Sequence, residues 1–138
     1  MDLIHWTDEY SVGVKMIDTQ HQKIVKIINK LNNLIEKDTI SSALNEIFDE
    51  LADYAKYHFS TEEKYFHEFD YKLTEEHEKM HKYYIEKIEQ FKQDNKLDIK
   101  NAFVVLDFLE DWWIGHINGA DKKYTKCFNE HGLNGVEK

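Results

Sequence analysis

Two pairs of side chains spaced four residues apart constrain the fold of this chain more than any other sequence feature. His58 is followed by Glu62, and His77 is followed by His81. On an α-helix, residues four apart lie on one face, one turn from each other, so each pair would present two metal ligands in the same direction. Two such pairs on neighbouring helices that face each other would enclose one or two metal ions.

The apolar pattern predicts four long amphipathic helices. Apolar residues recur at spacings of four and three, the period of the buried face of a bundle helix, and histidines occupy positions within these stripes. The chain has no proline and only 5 glycines, so few residues interrupt a helix. The predicted helices run from about residue 18 to 37, from the connection at 38–42 to His67, from Thr74 to the break at 94–96, and from the cap Asp98 to His116.

Four helices of this length with short connections indicate an all-α fold, namely an up-down-up-down antiparallel four-helix bundle. Ahead of the bundle, residues 1–16 have no regular period, which predicts an extended N-terminal arm. Its apolar side chains would pack against the core, and they are Trp6, Tyr10, Val12 and Val14.

The C-terminal end and the size of the chain complete the predicted architecture. Past Gly119 we predict a short C-terminal helix that ends near Asn129, with Gly132 as its stop. The whole chain, residues 1–138, is the size of one domain and is long enough to bury a core without disulfides. Cys127 is the single cysteine, which excludes an internal disulfide and a cysteine-based metal cluster.

Charge and hydropathy exclude several classes of partner. The formal net charge is −9 and every basic residue is a lysine, which argues against binding to nucleic acid or to an anionic membrane. No apolar run approaches the roughly 20 residues of a membrane span, and the N-terminus has no signal-peptide pattern. We therefore expect a cytoplasmic, monomeric protein, and the sequence identifies no protein recipient.

Five histidines on the predicted buried stripes occur together with two carboxylates. A single histidine on an apolar face is more often a hydrogen-bonded core residue than a metal ligand. Glu62 and Asp121 reverse that expectation, because burying an unpaired carboxylate costs several kcal/mol and a bound dication removes the cost. The candidate metal ligands are His21, His58, Glu62, His77, His81, His116 and Asp121. The other three histidines are expected at the surface, and they are His5, His67 and His131.

Asp121 follows His116 by five residues, a spacing that does not suit an α-helix. Five residues turn a continuous α-helix by about 500°, so the two side chains would point roughly 140° apart. We therefore predict that the fourth helix ends or is distorted between them. Gly115 and Gly119 are the residues at which we expect the backbone to deviate, since glycine adopts conformations that other residues avoid. Tyr124, three residues beyond Asp121, is a candidate to support its carboxylate.

The seven candidate ligands, in this order and spacing, resemble those of the hemerythrin family, specifically its single-domain bacterial members, the bacteriohemerythrins. The likeness covers nearly the whole chain. It extends to Gln20 before the first ligand, to Phe59 after the second, and to Trp112 and Ile117 around the fifth histidine. The resemblance implies a single hemerythrin-like domain over residues 1–138 that holds a non-haem di-iron centre.

By the same resemblance, one iron would be bound by His77, His81 and His116, and the other by His21 and His58. Glu62 and Asp121 would bridge the two irons together with an oxo or hydroxo group. These ligands fill all but one of the positions of two octahedral irons. The vacant position would lie on the iron with two histidines and would bind a small ligand.

The resemblance further implies reversible dioxygen binding for oxygen storage, delivery or sensing, and not catalysis. Neutral imidazoles favour ferrous iron, whereas the carboxylate-rich sets of oxygenase-type bundles favour oxygen cleavage. A dry pocket would protect the bound oxygen, and its expected lining is Ile24, Phe59, Trp112, Trp113 and Ile117. Trp113 stands where the family more often has a smaller aliphatic residue, which would narrow the pocket.

Two alternatives use the same residues differently. A di-iron redox enzyme or scavenger would act on peroxide, nitric oxide or ferrous iron. A zinc protease would use His77-Glu78-x-x-His81 with Glu78 as the general base. Against the protease, no strand pattern that could align a peptide is visible, and Glu78 lies about 100° from the ligand face of its helix.

Overall fold

Every described segment of regular structure is helical, in a computed structural model that describes residues 3–37, 40–94 and 99–133. The α-helices are α1 (Lys15–Glu36), α2 (Ile40–Glu68), α3 (Thr74–Asp94), α4 (Ile99–Trp112) and α5 (Thr125–Glu130). The remaining elements are a 3-10 turn (Asp8–Tyr10), a π-helix (Trp113–Ala120) and a second 3-10 turn (Asp121–Tyr124). The predicted all-α, up-down-up-down four-helix bundle is confirmed. None of the described helices is long and apolar enough to cross a membrane.

The helix ends agree with the predicted ones to within a few residues. α1 begins at Lys15, three residues before the predicted start, and α3 begins at the predicted Thr74. The hydroxyl of Thr74 stabilises this start by donating to the carbonyl of Tyr71 at 2.6 Å. Of the predicted connection at 38–42, residues 40–42 already belong to α2, and residues 38–39 lie outside the described part of the chain. Of the predicted break at 94–96 and its cap Asp98, residues 95–98 also lie outside it.

Buried side chains form two apolar clusters with a polar layer between them. The larger cluster joins α1, α2, α3 and α4 and includes Ile24 and Leu109. The smaller cluster includes Ile17 and Phe128 and brings α1 together with the C-terminal elements. Along α1, His21 lies between Ile17 of the smaller cluster and Ile24 of the larger cluster. Each large apolar side chain contributes about 1.5–3 kcal/mol on burial, so both ends of the bundle are stabilised by their own core.

The N-terminal arm is extended apart from one 3-10 turn and is fastened to the bundle by backbone and aromatic contacts. Asn29 of α1 pairs with both backbone polar groups of Ile4, in two hydrogen bonds of 2.8 Å. Trp6 and Tyr10 pack against Trp113, with ring centroids 6.2 and 5.1 Å away. The predicted arm is confirmed, and it covers the end of the fourth helix.

The π-helix after α4 solves the spacing problem of His116 and Asp121. In a π-helix the backbone N–H bonds to the carbonyl five residues earlier, so residues five apart come to lie on one face. The N–H of Asp121 donates to the carbonyl of His116 in this way. Nδ2 of Asn118 also donates to the carbonyl of Trp113, the residue five positions earlier, at 2.8 Å. The predicted distortion is confirmed.

Glycine does not cause this distortion, and that part of the prediction is wrong. Neither Gly115 nor Gly119 has a positive φ. An added Cβ at Gly115 would meet nothing within 4 Å, and one at Gly119 would meet the carbonyl oxygen of Ile114 at 4.0 Å, an ordinary contact. The five-residue hydrogen-bond period, and not a glycine conformation, turns Asp121 inward.

The C-terminal helix stops at a glycine, as predicted. Gly132 has a φ of 94°, and the N–H of Leu133 donates to the carbonyl of Phe128 at 2.9 Å, a helix stop that places a left-handed residue after the last turn. Gly13, with a φ of 74°, is required where the arm passes α5, because a Cβ there would lie 2.8 Å from the methyl carbon of Thr125. The N-terminal arm and α5 therefore meet beside the smaller cluster.

Candidate metal centre

The polar layer between the two clusters contains all seven predicted ligands. All are buried, and the most exposed of them, His116, retains 5% of its accessible surface. α1 contributes His21, and α2 contributes His58 and Glu62. α3 contributes His77 and His81. The π-helix contributes His116, and Asp121 is the residue directly after it.

Two overlapping groups of ligand atoms occupy this layer. The first, the three-histidine group, consists of His77, His81, His116, Glu62 and Asp121, each with one ligand atom within 4.8 Å of every other. Oδ1 of Asp121 lies 2.7 Å from Nε2 of His77 and 3.1 Å from Nε2 of His116. Oε1 of Glu62 lies 3.0 Å from Nε2 of His81.

The second group, the two-histidine group, shares both carboxylates with the first. It consists of His21, His58, Glu62 and Asp121, again within 4.8 Å of one another. Oδ2 of Asp121 lies 2.9 Å from Nε2 of His21, and Oε1 of Glu62 lies 3.1 Å from Nε2 of His58. Asp121 therefore turns one oxygen toward each group, which is the geometry of a carboxylate that bridges two neighbouring cations.

Buried polar atoms in this layer lack the hydrogen bonds that a core without metal would need. Nε2 of His77, His81 and His116 makes no hydrogen bond of acceptable geometry to any described residue, and neither do the carboxylate oxygens of Glu62 and Asp121. An unpaired buried polar group costs about 1–3 kcal/mol. Imidazole nitrogen and carboxylate oxygen are ligands of iron, manganese and zinc. The donor types, their burial and their unpaired lone pairs therefore fit a pair of such cations.

The histidines determine the charge of the two carboxylates. Burial alone would raise the pKa of Glu62 and of Asp121. The surrounding imidazoles, chiefly His58 for Glu62 and His116 for Asp121, more than offset burial and lower both pKa values. Burial also lowers the pKa of His58, which favours its neutral form. At neutral pH the layer therefore offers anionic carboxylates and a neutral imidazole lone pair, the forms that bind a metal ion.

The chain is similar to known proteins over most of its length. A family model described as the hemerythrin HHE cation binding domain matches residues 12–127. The chain belongs to the hemerythrin family. A bacteriohemerythrin from Clostridium acetobutylicum is 34% identical over 124 residues, which is 86% of this chain and 96% of the relative. One from Stenotrophomonas maltophilia is 27% identical over 131 residues, 95% of this chain and 85% of the relative.

The chain is also similar to a hemerythrin-like protein from Naegleria gruberi. It is 28% identical over 121 residues, which is 87% of this chain and 89% of the relative. The family assigned from the ligand pattern is therefore confirmed.

A glutamine contacts one histidine of the centre at the ring nitrogen that faces away from the other ligands. Oε1 of Gln20 lies 2.6 Å from Nδ1 of His58, and Nε2 of Gln20 donates to the hydroxyl of Thr61 at 3.4 Å. Because an amide oxygen only accepts, Nδ1 of His58 carries the proton and Nε2 presents its lone pair to the centre. Gln20 precedes the ligand His21, but its role depends on a contact with another helix, which periodicity along α1 does not reveal.

A glutamate plays the same part for a histidine of the other group. Oε2 of Glu63 accepts from Nδ1 of His81 at 2.8 Å. Burial acts to lower the pKa of His81, but its contacts with Glu62 and Glu63 raise that pKa to about 9. Glu63 is adjacent to a ligand in sequence and was not predicted to have a role, because adjacent residues on a helix point in different directions.

Aromatic rings cover two ligands of the three-histidine group. Phe59 stacks on His81 with ring centroids 3.8 Å apart and planes inclined by 4°. Trp112 stacks on His116 at 3.9 Å and 15°. Trp113 instead packs on the N-terminal arm, which accommodates its large ring. All five residues of the expected oxygen pocket are buried in the larger cluster, and they are Ile24, Phe59, Trp112, Trp113 and Ile117.

A buried tyrosine that was not predicted to have a role faces the two-histidine group. Tyr54 stacks on His58 with ring centroids 5.1 Å apart and planes inclined by 18°. Its hydroxyl has no hydrogen-bond partner among the described residues. Burial, followed by the charges of Tyr84, Asp121 and Glu62, raises its pKa. Its position four residues before His58 was the signal that could have identified it.

The remaining candidates lie outside the two groups. Glu78 pairs with the exposed His67 at 2.5 Å and belongs to neither group, which leaves the protease interpretation without its general base at the centre. His5 and His131 are exposed, as expected. Tyr124 is buried, and burial together with the charges of both carboxylates raises its pKa.

Proposed function

We propose that this chain holds two iron ions in the hemerythrin centre and binds dioxygen reversibly. The observation that carries the proposal is the sharing of both carboxylates by two groups of imidazoles, with one oxygen of Asp121 turned toward each group. The three-histidine group would hold one iron and the two-histidine group the other. Glu62, Asp121 and an oxo or hydroxo group would bridge them. The open position would lie in the two-histidine group, which has one ligand fewer.

The types of donor favour reversible binding over oxygen cleavage. When bound, a ferrous pair held by these seven ligands would supply the two electrons that reversible dioxygen binding requires. Five of the seven donors are imidazoles, a ligand type that binds metal in its neutral form and favours the ferrous state, and two are carboxylates. This ratio supports a role in oxygen storage, delivery or sensing.

The side chains around the centre would exclude water and hold the ligands in place. Phe59 and Trp112 cover two of the imidazoles, and Ile24 and Ile117 are fully buried in the same larger cluster. The contacts of His58 and His81 with side chains of neighbouring helices fix the orientation and tautomer of both rings. The ligands would therefore remain oriented while a small molecule enters and leaves.

The same proposal applies to the chain as a whole, as one hemerythrin-like domain over residues 1–138. It is supported by the family match over 12–127, which includes all seven ligands. We also propose that the protein is a monomer in the cytoplasm. Gel filtration of the iron-loaded protein tests whether it is a monomer. Cell fractionation tests whether it is in the cytoplasm.

A di-iron redox enzyme or scavenger is the second candidate, and Tyr54 is the observation that favours it. A phenol with no described hydrogen-bond partner, buried against His58, is placed to donate a proton to a small molecule such as peroxide during its reduction. Reversible oxygen binding does not require such a group.

Anaerobic reconstitution separates the two candidates. Metal-free protein would be loaded with ferrous iron under argon, analysed for iron, exposed to oxygen and then evacuated. We expect two irons per chain, one for each group of ligands, and a colour that appears with oxygen and fades under vacuum. The exposed His67→Ala variant is the control and should behave like the natural protein. Uptake of fewer than two metal ions would overturn the proposal, and irreversible oxygen consumption would favour the enzyme.

A further inference from the structure

We propose that Glu63 is a positioning residue that makes the two irons unequal, by placing a negative charge against His81 and so lowering the reduction potential of the iron in the three-histidine group. The inference rests on the proposed function, because it concerns iron held by these ligands. It adds a role for a residue that contacts a ligand and not the metal.

The geometry places Glu63 directly behind one ligand. His81 lies between two carboxylates, with Nε2 3.0 Å from Oε1 of Glu62 and Nδ1 2.8 Å from Oε2 of Glu63. Glu62 and Glu63 are neighbours on α2 and point about 100° apart, so the first enters the centre and the second reaches sideways to α3. The imidazole therefore transmits the charge of Glu63 to the metal position.

The equivalent contact in the other group is neutral. Nδ1 of His58 lies 2.6 Å from the amide oxygen of Gln20, so this ring has the same type of support without a charge. Nδ1 of His21 and Nδ1 of His116 are buried and have no hydrogen-bond partner among the described residues. The centre is therefore electrically asymmetric about its two shared carboxylates.

Burial explains why the charge lies at one position and not at the other. The side chain of Glu63 is 35% exposed and lines an open groove of about 330 Å³ between α2 and α3, together with Lys56 and Glu89. Water in the groove can solvate the outer side of this carboxylate. Gln20 is only 7% exposed. An anionic carboxylate at that position would be buried without solvation, which is costly, whereas a neutral amide is not. The fold therefore accommodates an anion behind His81 at little cost.

A charged acceptor on Nδ1 increases the electron donation of the imidazole and stabilises ferric over ferrous iron. Glu63→Gln keeps a hydrogen-bond acceptor of the same size and removes the charge. We expect the preference of the three-histidine iron for the ferric state to fall about tenfold, which raises its midpoint potential by about 59 mV for a one-electron couple. The midpoint potential of the iron in the two-histidine group should shift less.

The test is an anaerobic spectroelectrochemical titration of the iron-loaded protein, which does not involve oxygen binding. Glu89→Gln is the matched control, because it removes the same charge from the same groove but has no contact with a ligand. Its potentials should equal those of the natural protein. Glu63→Asp retains the charge and should recover part of the shift. Unchanged potentials in Glu63→Gln, or an equal shift in Glu89→Gln, would overturn the inference.

A measurement on metal-free protein tests the contact itself. In nitrogen-15 spectra of the histidine side chains, the proton on Nδ1 of His81 should move upfield in Glu63→Gln and stay in place in Glu89→Gln, since only the first loses a charge-assisted hydrogen bond. A resonance that does not move would also count against the inference. Failure of the natural protein to bind two irons would instead overturn the proposed function, and this inference with it.

Discussion

The two halves of the centre bring their ligands together by different helical geometries. In α2 and α3 the ligands are spaced by four and lie on one face of an ordinary α-helix, as His58 and Glu62 do. After α4 the ligands are spaced by five and lie on one face of a π-helix, where the N–H of Asp121 bonds to the carbonyl of His116. The difference teaches that a ligand spacing has meaning only together with the local hydrogen-bond period.

The less common geometry has a benefit that the α-helical half lacks. A π-helix occurs mainly as a short segment and is frequent at functional sites. Here it brings Asp121 to a position from which Oδ1 lies near His77 and His116 while Oδ2 lies near His21. Glu62, which comes from the regular helix, makes its close contacts with His58 and His81 through one oxygen, Oε1.

Removal of a shared carboxylate should have the largest effect and should affect both geometries equally. Glu62→Ala removes the bridge supplied by the α-helix, and Asp121→Ala removes the bridge supplied by the π-helix. Because each carboxylate belongs to both groups, we expect either variant to bind fewer than two metal ions and to lose affinity by more than the roughly 10–100-fold typical of a supporting residue. Metal analysis after dialysis measures this. Full occupancy in either variant would show that the carboxylate is not a bridge.

Replacement of a single histidine should separate the two groups. His58→Ala leaves one imidazole in the two-histidine group, whereas His116→Ala leaves two in the other. We therefore expect His58→Ala to retain one tightly bound metal ion and to lose the small-ligand position. His116→Ala should keep both ions with weaker binding of one. Titration with cobalt, followed by its optical spectrum, counts the sites. Equal losses in the two variants would contradict the assignment of ligands to groups.

Loss of the side-chain hydrogen bond within the π-helix should have a moderate effect. Asn118→Ala removes the 2.8 Å side-chain hydrogen bond to the carbonyl of Trp113, which we expect to lower the free energy of unfolding by about 1 kcal/mol. Ser60→Ala is the matched control in the α-helical half, because Ser60 donates to the carbonyl of Lys56 on the exposed face of α2 and that carbonyl remains accessible to water. Urea denaturation of both variants measures the difference. Equal losses would show that the π-helix does not depend on Asn118.

The smallest effect is expected at the glycine once predicted to bend the helix. Gly119→Ala places a Cβ at an ordinary distance of 4.0 Å from the nearest carbonyl, so stability should change by less than about 1 kcal/mol and metal content should not change. Gly13→Ala is the contrasting variant, since its φ of 74° and its approach to Thr125 make a side chain unfavourable. Loss of metal binding in Gly119→Ala would show that the distortion depends on glycine after all.

Much of the architecture could be predicted because it depends on period and composition. The stripe from Ile17 to Ile35 defined α1 and placed His21 inward, and the spacing of four defined the ligand faces of α2 and α3. The position of Asp121 required an irregular backbone, and the need for one was predictable from the mismatch of spacing. Its form as a π-helix was not, because no residue in the segment requires that hydrogen-bond period.

The contacts behind the ligands could not be predicted from the sequence. Gln20 reaches His58, and Glu63 reaches His81, each on a neighbouring helix, so their partners depend on how the helices are rotated against each other. A helical pattern determines which face is buried but not which side chain at its edge meets which neighbour. Tyr54 differs from these two residues, because its spacing of four from His58 on the same helix was a signal that the sequence contains.

The division of the core into two apolar clusters has a consequence for where bound metal stabilises the protein. Each end of the bundle is packed around its own apolar side chains, whereas the polar layer between them carries unpaired carboxylate and imidazole atoms. Bound cations remove the cost of that layer and leave the packing of the two ends unchanged. We expect the metal-free protein to unfold at a lower temperature than the metal-loaded protein, with the loss of stability originating in the middle of the bundle.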